Sequence, residues 1–140
     1  MPIEAPDCER LLRSTVFGRM VLATPGRLEI FTVNYAVMGD AVVLRTTPGS
    51  LLDRYADGAP LILEVDNVNH ERWQGWSVVV RGQGERITQS QLTVRELGSF
   101  PPPPWAPGRS VWIRLQVEEI SGRKLGPGPL LAGSLGETLR

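Results

Sequence analysis

EIFTVNYAVMGDAVVLRTTPGSLLDRY, residues 29–55, holds two apolar runs parted by a tight turn and followed by a polar one. Leu28 to Val37 is rich in Val, Ile, Phe, Tyr and Thr, which suit a half-buried pleated surface. Met38-Gly39-Asp40 is a hairpin signal, and Ala41 to Thr46 is a compact second strand. The turn Thr46-Thr47-Pro48-Gly49-Ser50 follows Arg45 and opens a short helix, Ser50 to Ala56, stopped by Asp57-Gly58. A cation, three hydroxyls and a glycine-loosened backbone thus meet where a helix begins. Helix starts carry unpaired N–H groups and partial positive charge, so a phosphate-bearing ligand is the first expectation. Ser and Thr also serve there as plain caps, and the residues alone leave both readings open.

Working outward, Asp7 is placed to cap a short helix from Cys8 to Ser14, with Leu11 and Leu12 packing inward. Val16 to Thr24 is a strand closed by the Pro25-Gly26 turn. Pro60 to Val68 is another, and after the polar turn Asn69 to Gln74 comes a long strand, Trp76 to Ile87. Gly82 and Gly84 inside it point to a bulge or a close backbone approach. Gln89 to Leu97 has helical character, Pro101 to Pro104 suits extended polyproline, and Val111 to Val117 is the last strand. About six strands joined by short turns predict a mainly β chain closed into a small antiparallel barrel with short flanking helices, since closure removes exposed edges. The division expected is a barrel domain over residues 1–125 and a Gly/Pro-rich tail over 126–140.

Composition narrows the function. With 140 residues the chain fits one domain, and 15 basic against 15 acidic residues leave zero formal charge. Nucleic-acid binders usually carry a basic surplus, so no nucleic-acid partner is expected. Lys124 is the only lysine, which disfavours Schiff-base or Walker-type chemistry. Cys8 is the single cysteine, so no intrachain disulfide forms. No apolar run approaches the ~20 residues that span a bilayer, and MPIEAPDCER lacks the apolar core of a secretory signal. A cytoplasmic protein with no membrane partner and no metal site is expected. His70, in a polar turn, reads as solvated and has no partners for a zinc site or a catalytic triad. Arg81 to Arg86 does not fit the dinucleotide fingerprint.

Four blocks carry a family resemblance: LLRSTVFGRMVLAT (11–24), EIFTVNYAVMGDAVVLRTTPGSLL (29–52), PLILEVDNVNHERWQGWSVVVRGQGERI (60–87) and PWAPGRSVWIRLQVEEISGRKL (104–125). In this order they resemble the pyridoxamine 5′-phosphate oxidase-like proteins of the FMN-binding split-barrel superfamily. The resemblance implies a six-stranded antiparallel split β-barrel and a homodimer with flavin in clefts between subunits. It implies an FMN-dependent oxidoreductase acting on a small molecule, with two alternatives: a deazaflavin (F420)-dependent reductase on the same fold, or a non-catalytic flavin- or ligand-binding protein. By position it gives the flavin ring Thr32, Val33 and Asn34, and the phosphate Arg45, Thr46, Thr47 and Ser50. Trp76 and Ser77 match a later strand that often reaches the flavin, sometimes from the partner, and Trp112 with Arg114 matches the strand that completes the cleft. Many relatives carry a Lys or Arg just after the Ser of the polar turn, whereas this chain has Leu51. Losing one charge-assisted bond to phosphate costs ~1.5–3 kcal/mol, and Arg54, one helical turn from Ser50, is the nearest replacement. No catalytic acid or base stands out.

Overall fold

The computed structural model describes residues 1–99 and 110–127. Six strands close into an antiparallel barrel: β1 (Phe17–Thr24), β2 (Arg27–Met38), β3 (Ala41–Thr46), β4 (Pro60–Asn69), β5 (Gln74–Ile87) and β6 (Val111–Leu125), in the ring order β1-β2-β3-β6-β5-β4. Strand alternation sends Met20, Leu22, Val33, Tyr35, Val42, Leu44, Leu61, Leu63, Val65, Val78, Val80, Ile113 and Leu115 into one core. Helix α1 (Ala5–Arg13) joins it with Cys8, Leu11 and Leu12, and helix α2 (Leu51–Tyr55) adds Leu52. The buried Tyr35 hydroxyl donates to the Leu12 carbonyl at 2.6 Å and ties α1 to the barrel.

The strands fall close to their expected places, and four expectations need correction. Helix α1 starts earlier, with Glu4 at its cap position, Pro6 in its first turn and no side-chain cap bond. Asp7 pairs instead with Arg10 at 3.1 Å. The expected helix over 89–97 is two pieces, a 3-10 turn at Gln89–Gln91 and helix α3 (Val94–Ser99). Each has its own cap: Thr88 with Gln91, and Thr93, whose Oγ accepts from Glu96 N–H while Glu96 Oε1 accepts from Thr93 N–H. Leu92 between them is extended. Strand β6 runs eight residues past Val117, because its length is set by pairing with β5 as far as Gly75↔Leu125. Trp76 sits in the barrel core, 1% exposed.

Gly82 and Gly84 hold the close approaches expected of strand glycines. The β5–β6 register shifts between Arg81 and Gly82. A Cβ on Gly82 would lie 1.8 Å from the Gln116 carbonyl oxygen, and one on Gly84 would lie 2.1 Å from that of Ala56. Pro101 to Pro104, Trp105 and most of the Gly/Pro-rich tail fall outside the described residues.

Candidate functional site

The β2–β3 ladder is short. It runs from Met38↔Ala41 to Tyr35↔Leu44, while β2 continues along β1 and β3 continues along β6. Asn34 and Arg45 are the first residues past the last pair, at the fork where the strands part. A cavity of about 210 Å³ opens there, lined by Phe31, Thr32 and Val33 from β2, Arg45, Thr46 and Thr47 from the end of β3, and Ser50, Leu51 and Leu52 from α2. Six of the ten residues expected to hold a cofactor therefore meet in one place.

The polar wall is organised by short bonds. Thr46 Oγ1 lies 2.7 Å from Ser50 Oγ, which also accepts from the Asp53 N–H at 3.1 Å. Gly49 takes φ +80, where glycine is preferred, and its N–H donates to Asp53 Oδ2 at 2.8 Å. Asp53 Oδ1 is 2.6 Å from an Arg86 guanidinium nitrogen on β5. The turn is thus braced by a carboxylate of its own chain. Asp53 and Arg86 were not anticipated from sequence; the Ser50-x-x-Asp53 spacing, a capping-box pattern, was the available signal.

Arg45 stacks over the Trp112 ring at 5.2 Å, so the outward side of β6 supplies a flat support for the cation. Trp112 is buried with Val43, Ile87 and Leu92 in a small cluster outside the barrel. Arg114 pairs with Glu85 at 2.9 Å. Arg54, considered as a replacement cation, lies over its neighbour Tyr55 at 5.1 Å, is exposed, and is not a cavity-lining residue. Asn34 is 7% exposed, and its Nδ2 has no hydrogen-bond partner among the described residues. A buried donor left unpaired costs ~1–3 kcal/mol, which an acceptor on a ligand at the fork would recover.

Trp76 and Ser77 stand apart. They pair with Lys124 and Arg123, whereas Trp112 pairs with Ile87, eleven residues further along β5. At ~3.3 Å per residue the two places are roughly 36 Å apart along the strand. One chain does not bring these two residues to the cavity.

The groups whose titration the fold displaces also lie elsewhere. Burial raises Tyr35 well above the usual phenol range, and burial followed by Asp7 raises the Cys8 thiol, which is fully buried and inert. Glu64 on β4 is pushed up to about 7, first by burial and then by its hydrogen bond and charge contact with Asp66, against the pull of Arg19. His70 is exposed, as its turn position implied. Among the described residues no cluster of three His, Cys, Asp or Glu is arranged for a metal, and no helix is long and apolar enough to cross a membrane.

One cation on an aromatic support, the four hydroxyls of Thr32, Thr46, Thr47 and Ser50, and an apolar floor of Phe31, Val33, Leu51 and Leu52 suit a flat ring carrying an anionic group. Solved structures with this fold include the FAD binding protein of Mycobacterium smegmatis, at 28% identity and TM-score 0.74, with 89% of this chain and 98% of that one covered. A conserved protein of Corynebacterium diphtheriae gives 26% and 0.71, covering 90% and 98%. A FAD-binding protein of Mesorhizobium loti, at 22% and 0.66 with 90% and 98% covered, speaks to the fold alone. No curated protein matches the chain. The family model described as pyridoxamine 5′-phosphate oxidase matches residues 4–124, nearly the whole barrel, and the chain belongs to that family.

Proposed function

We propose that the chain is a flavin-binding oxidoreductase of the pyridoxamine 5′-phosphate oxidase-like type, acting on a small molecule. The observation that carries this is the fork: Arg45, Thr46, Thr47 and Ser50 line the cavity together, and Asn34, whose buried Nδ2 is unpaired among the described residues, follows the lining residue Val33 without lining the cavity itself. In this assignment Arg45, held flat by Trp112, takes the phosphate, and the Thr46, Thr47 and Ser50 hydroxyls complete its shell. Phe31, Val33, Leu51 and Leu52 shield the ring from water, and Asn34 donates to a ring acceptor. The flavin, when bound, supplies hydride or electron transfer. The protein's part is orientation, consistent with a cavity whose lining, among the described residues, includes no carboxylate, histidine or lysine. The name of the M. smegmatis neighbour supports a flavin; FMN is the nucleotide the family resemblance implies.

The working form is a homodimer in this proposal. Thr32 and Asn34 share the outward face of β2 with Leu28 and Ile30, 77% and 64% exposed, and β1 sets Phe17 opposite Asn34. Apolar side chains left open beside a ligand site mark a surface that a second copy covers, and zero net charge removes long-range repulsion between copies. Such a partner also offers a route for Ser77, half-buried on β5, to act on the other subunit's cleft, whereas Trp76 is closed inside the barrel. A cytoplasmic location fits the single buried cysteine.

The test is the absorbance spectrum of the untreated protein together with FMN affinity. Flavin bands are expected, and Arg45→Ala lowers FMN affinity at least ~10-fold. An unchanged affinity removes Arg45 from the phosphate. A cavity lining with no acid or base among the described residues gives one second reading, a flavin carrier without turnover. It predicts bound flavin that no nicotinamide donor reduces.

A further inference from the structure

The outward face of β1, β2 and β4 carries a second group of charges, away from the polar turn. Register sets its side chains in cross-strand rows. One row runs Ile30, Val21, Ile62, and the next runs Thr32, Arg19, Glu64. Leu28 and Phe17 share this face, and Leu28 and Ile30 are largely exposed. Amid these apolar side chains one guanidinium nitrogen of Arg19 holds two carboxylates, Glu64 at 3.0 Å and Asp66 at 2.9 Å. The two acids also hydrogen-bond to each other, which requires a proton between them.

With both acids ionised the three groups carry one net negative charge. Arg19 is the only cation within ion-pair distance of either acid among the described residues. From β5, Val79 faces Glu64 and Ser77 faces Asp66. Arg81, the next outward residue of β5, is exposed and stands between Ile62 and Glu119. From β2 the row ends on Thr32, which lines the cavity, so this face runs directly into the cleft. A two-fold contact brings the same patch from each copy, and with it the same surplus of acid. A charge buried without compensation is costly, and a carboxylate in that position takes up a proton instead.

We propose that the β1–β2–β4 face is the docking surface for a second copy of this chain, and that each subunit takes up one proton, shared by Glu64 and Asp66, as the faces close. Closure completes the cleft beside Thr32, so pH governs assembly of the ligand site. The inference rests on the homodimer reading and goes beyond it by naming the surface and the proton that controls it. In the single subunit Glu64 is pushed up to about 7, first by burial and then by Asp66. Below that pH it is already protonated, and docking draws no proton. Above it each docking draws one per subunit from solvent, so the dimer weakens as pH rises.

Sedimentation equilibrium of the full-length protein from pH 5.5 to 8.5 measures the dimer Kd, with circular dichroism to show that the fold is kept. Kd is level up to pH 6.5 and rises at least ~10-fold between pH 7 and 8.5. Glu64→Gln, neutral at every pH, keeps the low-pH Kd throughout. Asp66→Asn leaves Arg19 and Glu64 as a balanced pair; it also flattens the rise, and it serves should Glu64→Gln fail to fold. His70, exposed in the β4–β5 turn, is the only histidine, and His70→Gln keeps the rise. Ile30→Glu abolishes the dimer. A dimer that tightens as pH rises overturns the proposal, because a cation of the second copy then meets the acids. An Ile30→Glu protein that still dimerises overturns the choice of face. A dimer indifferent to pH overturns the proton uptake and leaves the homodimer standing, whereas a protein that stays monomeric at every pH removes the homodimer reading, and this inference with it.

Discussion

Gly84→Ala is the sharpest test of how the barrel positions the cleft. Gly84 lies on β5 against the segment that follows α2, and its backbone bonds that segment twice: Gly58 N–H donates to the Gly84 carbonyl at 2.8 Å, and Gly84 N–H donates to the Ala59 carbonyl at 2.8 Å. An added Cβ would sit 2.1 Å from the Ala56 carbonyl oxygen and 2.8 Å from Leu61 Cδ1. A carbon–oxygen contact needs about 3.2 Å, so the two backbones must part by roughly 1 Å, more than a packed core concedes without strain. Both hydrogen bonds lengthen. With ~1–3 kcal/mol for a buried polar group losing its partner and ~1–3 kcal/mol for overpacking, the loss comes to about 2–6 kcal/mol. For a chain of this size the melting temperature falls by roughly 6–24 °C. Urea unfolding followed by circular dichroism measures it, with Gly98→Ala as the control. Gly98 lies in α3 with nothing among the described residues within 4 Å of an added Cβ, and alanine there adds ~0.5–1 kcal/mol of stability. A Gly84→Ala loss under 1 kcal/mol would refute the claim that this glycine sets the spacing between β5 and the α2 segment.

Tyr35→Phe removes the hydroxyl that donates to Leu12 and leaves a buried carbonyl unpaired; a loss of ~1–3 kcal/mol in urea unfolding is expected, and a neutral result would show that α1 is held by packing alone. Glu64→Gln tests the raised carboxyl. Its folded value of about 7 lies above the unfolded value of ~4.3, so its contribution is fully present below pH ~4.3 and is lost as pH rises through 7. The variant therefore gains on the native protein between pH 5 and 8, and parallel stability–pH curves for the two proteins would contradict the assignment. Trp112→Ala strips the support from Arg45 and should weaken flavin affinity as well as stability, whereas Trp76→Ala should cost stability in the isolated chain through its core position.

The parts of the molecule that read directly from sequence are those fixed by near neighbours. The hairpin of β2 and β3 is one, because alternation, turn glycine and strand composition act within a few residues, and its ladder forms as expected. The meeting of Arg45, Thr46, Thr47 and Ser50 is another, since one strand end and one turn carry all four. What depends on distant pairing was not legible. The charged stretch Glu118 to Lys124 looks like a solvated face, yet it continues β6 because β5, some forty residues earlier, provides the ladder. Trp76 has the composition of a ring-stacking residue, but strand parity turns it inward, and parity is fixed by register with β4 and β6.

The polar turn shows why residue types alone left two readings open. Hydroxyls, glycine and arginine name the donors that a turn possesses. They do not say which donors the fold has already used. Asp53 lies three residues after Ser50, and in sequence it looks like an ordinary first-turn acid. In the fold it takes the Gly49 N–H, and Arg86 from β5 comes to meet it. Capping and ligand binding are therefore not rivals at this corner. The carboxylate side of the turn is given to capping, and the side of Arg45, Thr46, Thr47 and Ser50 lines the cavity that the proposed function assigns to an anion. Because this division depends on a contact between residues more than thirty positions apart, Asp53 and Arg86, only the assembled barrel reveals it.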